Sequence, residues 1–165
     1  MGWTDVKLIL VVFILLIAWN SAFGDDRKCL TENIYFEARG QGQAGWLAVA
    51  QVTQNRVDDK RFPNTVCEVV KQGLTYASGD PIRNKCQFSW FCDGKSDKPK
   101  NTKVYNEIYE LVNYIYDVNG QPNHELLDIT DGATHYHADY VRPSWAKTKT
   151  KTIEIEDHIF YRWEK

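Results

Sequence analysis

The stretch Cys29-Leu30-Thr31-Glu32-Asn33-Ile34-Tyr35-Phe36-Glu37-Ala38-Arg39-Gly40 sets the character of this chain. With each residue turned about 100° from the last, Leu30, Ile34 and Glu37 fall at roughly 0°, 40° and 340° of one wheel. The spacing predicts a helix from Cys29 to Arg39 whose apolar side includes a carboxylic acid, with Gly40 as its stop. Glu32 falls at about 200°, on the opposite face, where a solvated carboxylate is ordinary. An acid on an apolar face is a local contradiction unless something uses or satisfies it. Desolvation disfavours the charged form, and a carboxyl that keeps its proton towards neutral pH can act as a general acid. The structural alternative is an ion pair with Arg39, Arg56 or another nearby cation.

Working outward, a second helix is expected from Gln43 to Val57, with Trp46, Ala50, Thr53 and Val57 on one side and small residues that permit close packing. Phe62-Pro63-Asn64 reads as a turn, and Thr65 with Glu68 has the spacing of a capping box opening a short helix that Gly73 can end. Ala77 to Lys85 reads as a polar loop, Gln87 to Phe91 as a short aromatic strand before the turn Asp93-Gly94, and Lys95 to Asn101 as a charged loop. The clearest helix runs from Lys103 to Val118, with Val104, Ile108, Leu111 and Ile115 as its stripe and Asn119-Gly120 as its stop. The period then changes. Ala133 to Tyr136, Thr152 to Glu156 and His158 to Trp163 read as strands, with a reversal at Glu156-Asp157. Helices first and strands later predict an α+β domain with its cleft between the helices and a small antiparallel sheet.

Of the 165 residues, the first 24 have the pattern of a secretory leader: a short polar head with Lys7, an apolar run from Leu8 to Trp19, and Ala22-Phe23-Gly24 before a cleavage point. A retained signal-anchor is the alternative, but the apolar run reaches only about 18 Å of a hydrocarbon layer roughly 30 Å thick. The expected organisation is therefore 1–24 as leader and 25–165 as one domain, exported, with membrane contact only through the leader. The net charge of −2 gives no basic field for nucleic acid. Cys29, Cys67, Cys86 and Cys92 all follow the leader and read as two disulfides, with three connectivities open. One of them closes a small loop with Cys86–Cys92 and leaves Cys29–Cys67. No cysteine pair has the CxxC spacing common in zinc sites.

Several blocks in order carry a resemblance. Glu32 to Gly40, Gly45 to Val52, Asn55-Arg56-Val57, Phe62 to Cys67, Cys86 to Trp90, Gly132 to His137 and His158 to Arg162 together resemble the catalytic domain of the spore cortex-lytic (SleB-type) cell-wall hydrolases. The resemblance spans Cys29 to Arg162. It implies a lysozyme-like helical domain with a small antiparallel sheet flanking the cleft. It also implies a bacterial or bacteriophage enzyme that cuts the β-1,4 bond between N-acetylmuramic acid and N-acetylglucosamine as a lytic transglycosylase. It puts the catalytic acid at Glu37, the residue already marked by the wheel. The implied partner is the peptidoglycan glycan strand, met by a monomer that needs no metal or other cofactor. One departure is Gln41, where family members often carry a second acid.

Gln87, Ser89 and Trp90 are candidate substrate contacts, as are Thr134, His135, Tyr136 and His137. Amide and hydroxyl groups there could meet N-acetyl or hydroxyl groups, and Trp90 could stack on a sugar ring. On a strand His135 and His137 share one face and Tyr136 takes the other, so both rows cannot line one cleft. Asp128, Asp131 and Asp139 are candidate partners for Glu37. The competing readings are a zinc-dependent peptidase using His124, Asp128, His135 and His137, and a non-catalytic glycan-binding module using the aromatic residues.

Overall fold

The computed structural model describes residues 26–116, 122–123 and 126–164. The leader expected over 1–24, the helix stop at Asn119-Gly120 and His124 lie outside the described residues. No helix among the described residues is long and apolar enough to cross a membrane.

Helix α1 covers 26–38 and buries Leu30, Ile34 and Ala38. Helix α2, Gln43–Asp58, is central. Trp46, Val49 and Ala50 pack with α1, and Ala48 and Val52 pack on the other side against Ala133 and Phe160. Its alanines let both neighbours approach closely, and burial on two sides is why its apolar pattern is not confined to one stripe. Helix α3, Val66–Val70, opens as a capping box should: the Thr65 hydroxyl accepts from the Glu68 amide and donates to the Glu68 carboxylate at 2.9 Å. Helix α4, Thr102–Ile115, is capped by the Asn101 side chain and lays Ile108, Val112 and Ile115 onto the α1/α2 core.

A two-stranded hairpin pairs β1, Gly73–Thr75, with β2, Pro81–Cys86. A three-stranded antiparallel sheet has the order β3-β5-β4, from His135–Ala138, His158–Arg162 and Thr150–Ile155. His135 faces Tyr161 and Ala138 faces His158 in register. Glu156, at φ 52°, makes the reversal between β4 and β5. Its carboxylate accepts from the Gly42 and Gly45 amides (2.7 and 3.3 Å), tying the sheet to the free N–H groups at the start of α2.

Three local expectations change. Part of the polar loop over 77–85 is strand β2, whose mostly exposed residues leave no apolar alternation to detect. Gly73 begins β1, paired with Cys86, rather than ending α3, and glycine is needed there because a Cβ would lie 2.9 Å from the Cys86 sulfur. The strand expected over Gln87 to Phe91 is a single 3-10 turn, Ser89–Cys92. The Cys86–Cys92 disulfide brings Cα atoms six residues apart to within 6.1 Å, a span that extended chain would stretch to about 20 Å. The other disulfide is Cys29–Cys67, joining α1 to α3.

Candidate active site

The last turn of α1 projects Glu37 into a cleft of about 700 Å³ between α1, the segment over 89–100 and the sheet. From the facing strand, the Tyr136 hydroxyl donates to Glu37 Oε2 at 2.8 Å. Burial raises the Glu37 carboxyl above its ordinary value, opposed by the Tyr136 hydrogen bond and then by the positive charge of Arg56. Tyr136 is itself raised well above the usual phenol range, chiefly by burial, so its hydroxyl keeps its proton and remains a donor.

Arg56 lies beneath this pair. It is buried on α2, donates from Nε to the Thr134 carbonyl at 2.7 Å, and stacks near the rings of Phe88 (4.9 Å) and Phe62 (5.4 Å). Its Nη1 is buried without a hydrogen-bond partner among the described residues. Glu37 forms no direct ion pair among the described residues. Arg56 thus supplies a positive field without clamping the acid, and Arg39 is instead exposed over the Tyr35 ring. The acid is held by one hydrogen bond and can still reach out of its seat.

A short relay of contacts continues from Tyr136. His158 meets the Tyr136 ring edge-on at 4.9 Å, and its Nδ1 is hydrogen-bonded at 2.9 Å to the side-chain amide of Gln41. Burial lowers His158 from the ordinary imidazole value, against the charges of Asp157, Glu156 and Asp139. Gln41 thus bonds the imidazole that packs against the Tyr136 ring. Neither His158 nor the structural part of Gln41 stood out in the sequence, since each is one polar residue at the edge of an ordinary element.

The opposite wall contains Trp90, whose Nε1 donates to Asn33 Oδ1 at 3.0 Å and whose ring stacks on Phe36 at 4.7 Å. Asn33 in turn donates to Thr53 on α2, so this indole is anchored through α1 to the central helix. Ser89 also lines the cleft.

Other expected contacts lie elsewhere. Gln87 is exposed outside the cleft, its backbone amide bonded to the Gln72 carbonyl. Thr134 is buried, with its hydroxyl hydrogen-bonded to His135 Nδ1. His135 sits among Phe62, Trp145 and Trp163 on the far face of the sheet. Burial first, and then the cations Arg56, Lys149 and Arg61, push it down to about 3. His137 borders the cleft, but its ring stacks on Tyr161 and its Nε2 bonds the Tyr161 hydroxyl. Strand alternation sends Tyr136 to the acid and the two histidines away from it.

The aspartates proposed as partners are also engaged elsewhere. Asp128 accepts from Asn55, Thr130 and Gly132, and Asp131 pairs with Arg162. Asp139 is not among the cleft residues, and the carboxylates that do border the cleft besides Glu37 are Asp93 and Asp97. Asp128, His135 and His137 thus serve three separate sets of partners, which is not the convergent donor set a zinc ion requires.

The family pattern described as Cell Wall Hydrolase matches residues 40–161, about three quarters of the chain. This chain belongs to the Cell Wall Hydrolase family. The matched span opens just after Glu37 and takes in Arg56, Tyr136 and His158. Among curated relatives, the cell wall hydrolase is 24% identical over 136 residues to the spore cortex-lytic enzyme of Bacillus subtilis, covering 82% of this chain and 37% of that protein. It is 25% identical over 142 residues to the spore cortex-lytic enzyme of Bacillus cereus, covering 86% of this chain and 46% of that one. The chain thus spans less than half the length of these relatives. The catalytic domain of the Bacillus cereus SleB protein superposes with a TM-score of 0.56 at 25% identity, covering 84% of this chain and 91% of that domain. The catalytic domain of the germination-specific lytic transglycosylase SleB from Bacillus anthracis gives the same TM-score and identity, with 83% and 93% covered. The α+β fold is that of these catalytic domains.

Proposed function

We propose that this chain degrades peptidoglycan by cutting the β-1,4 bond between N-acetylmuramic acid and N-acetylglucosamine, as a lytic transglycosylase with Glu37 as its acid and base. The observation that carries this reading is a carboxyl raised by burial, held by one hydroxyl, at the wall of an open cleft. Glu37 gives its proton to the glycosidic oxygen as the C1–O bond breaks, and the sugar left behind takes on oxocarbenium character. Glu37, now a carboxylate, is stabilised by the Tyr136 hydroxyl and the Arg56 charge. It then takes the proton from the C6 hydroxyl as O6 bonds to C1, closing a 1,6-anhydro ring and restoring the acid. No step needs a second carboxylate, which agrees with a neutral amide at Gln41. The indole of Trp90 is a platform for a sugar ring. The curated relatives' names and the SleB structures support a wall substrate and a bacterial setting. The two disulfides suit an exported domain over 25–165.

The test is mass spectrometry of the fragments released from purified peptidoglycan. Anhydro-ended muropeptides, one water lighter than the ends hydrolysis leaves, are the expected products. Reducing ends would replace transglycosylation by hydrolysis, and new amino termini in place of cut glycan would overturn the glycosidase reading.

The pH profile gives an independent check. The reactive form is protonated Glu37, so kcat/KM should fall as pH rises through the raised value of this group. Tyr136→Phe removes a bond that favours the carboxylate, which raises Glu37 further. The alkaline limb should therefore move to higher pH while the maximal rate falls. A limb that stays in place or moves down would remove Tyr136 from the site.

A further inference from the structure

The cleft is unevenly charged. Although the whole chain carries −2, the wall over 93–100 and the end of α1 bring Arg39, Lys95, Lys98 and Lys100 to the cleft rim against Asp93 and Asp97. Lys95 is matched by Asp93, with Nζ 3.3 Å from the carboxylate. Arg39, Lys98 and Lys100 are exposed and form no ion pair among the described residues. Asp97 is the one acid left to offset them, so the rim keeps an excess of positive charge.

This rim is built rather than loose. The Tyr35 hydroxyl accepts from the amides of both Lys100 and Asn101, at 3.1 and 2.9 Å. Tyr35 is buried two residues before Glu37, so the rim is fixed from the same helix that presents the acid. At its other end Asp93 accepts from the Lys95 amide at 2.7 Å, Arg83 donates to the Asp93 carbonyl at 3.1 Å, and the Cys86–Cys92 bond closes the turn beneath.

A neutral sugar chain offers these cations hydrogen-bond acceptors but no opposite charge. The anionic groups that a peptidoglycan strand brings near its cleaved bond are carboxylates on the substituent at C3 of the muramoyl ring. We infer that Lys98, Lys100 and Arg39 form a subsite for a carboxylate of the muramoyl substituent, making this chain selective for anionic over neutral glycan. The inference rests on the glycosidase reading and deepens it. The carboxylate has two sources, the stem peptide or the lactyl group exposed when that peptide is removed.

Three substrates free of teichoic acid separate the possibilities: peptide-bearing strands, strands stripped by an amidase, and stripped strands whose lactyl carboxylates are converted to methylamides. The native chain is expected to cleave the better anionic strand with a kcat/KM about tenfold above that of the neutral strand, at about twofold per cation, mainly through KM. Added salt should shrink the difference. Whichever anionic strand is preferred identifies the source. In the double variant Lys98→Glu, Lys100→Glu the preference should vanish or invert. Both side chains are exposed, so the fold is expected to tolerate the change, and circular dichroism checks it. Equal cleavage of all three strands by the native chain, or an unchanged preference in the variant, would overturn the subsite. Failure to release glycan from any strand would overturn the glycosidase reading itself.

Discussion

Glu37→Gln is expected to lower glycan release by about 10³-fold or more while leaving the domain folded. Glutamine keeps the shape of the side chain, and its amide oxygen can still accept from Tyr136, so the seat formed by α1 and β3 is preserved. What disappears is the proton that both halves of the reaction require. The stability consequence has a definite sign. Burial raises the Glu37 carboxyl in the folded chain, so its favourable contribution is complete below the ordinary carboxylate range. That contribution is lost as pH rises through the raised value. Above that point the native chain holds a desolvated carboxylate and the glutamine variant does not. The variant should therefore be at least as heat-stable as the native chain at pH 8, with its relative advantage smaller at pH 4. Retained cleavage in this variant would end the single-acid mechanism. Lost cleavage with a collapsed melting transition would make Glu37 structural.

Removing the Cys29–Cys67 bond by the double substitution Cys29→Ser, Cys67→Ser should give the largest loss of stability. The bond closes a separation of 38 residues, which in the chain-entropy account is worth about 4 kcal/mol. The Cys86–Cys92 bond spans only 6 and is worth about 2 kcal/mol by the same relation. For a domain of this size the first loss corresponds to a fall in melting temperature of roughly 10–15 °C. Location sharpens the contrast. Cys29 is buried in the main core, and the adjoining Asp26 carboxylate also accepts from the Cys67 amide at 3.0 Å, so α1 is tied twice to α3. The short bond underlies the cationic rim. Its loss should disturb KM more than the melting point. Differential scanning of the two double variants, with and without reductant, measures the melting losses, and steady-state kinetics on peptidoglycan measure the change in KM. Equal losses would show that loop length does not govern here.

The sequence exposed its helices and its acid for the same reason. Leu30, Ile34 and Glu37 are local neighbours on one helix, and local periodicity carries their placement. Strand β5 and the reversal before it were readable from alternation and a polar pair. The hairpin over β1 and β2 was not, because its pairing is made by backbone groups between largely exposed residues. The aromatic segment after Cys86 was read as extended because short disulfides constrain the path of the chain without marking it in the residue pattern. Around Glu37, Tyr136 is legible as a candidate substrate contact but not as the hydroxyl that holds the acid. The wheel predicts that an acid is buried, not which hydroxyl from a distant strand satisfies it. Arg56 was foreseen only as a possible ion-pair partner, whereas its position between two rings depends on how α2 meets the sheet. His135 and His137 are candidate substrate contacts by residue type alone, and strand alternation turns both rings to the face away from Tyr136.

The hydrogen bond between Tyr136 and Glu37 joins residues 99 positions apart, and the one between Gln41 and His158 joins residues 117 apart. Contacts of such range form late, because a long loop must be closed before they repay its entropy. As the chain leaves the ribosome, α1 and its acid are present well before strands β3 and β5 that complete the seat. Such a nascent chain has a carboxyl but neither the hydroxyl that holds it nor the cleft that receives a sugar. For a protein with the proposed activity this is a form of built-in latency: the destructive chemistry switches on only when the two ends of the fold have met.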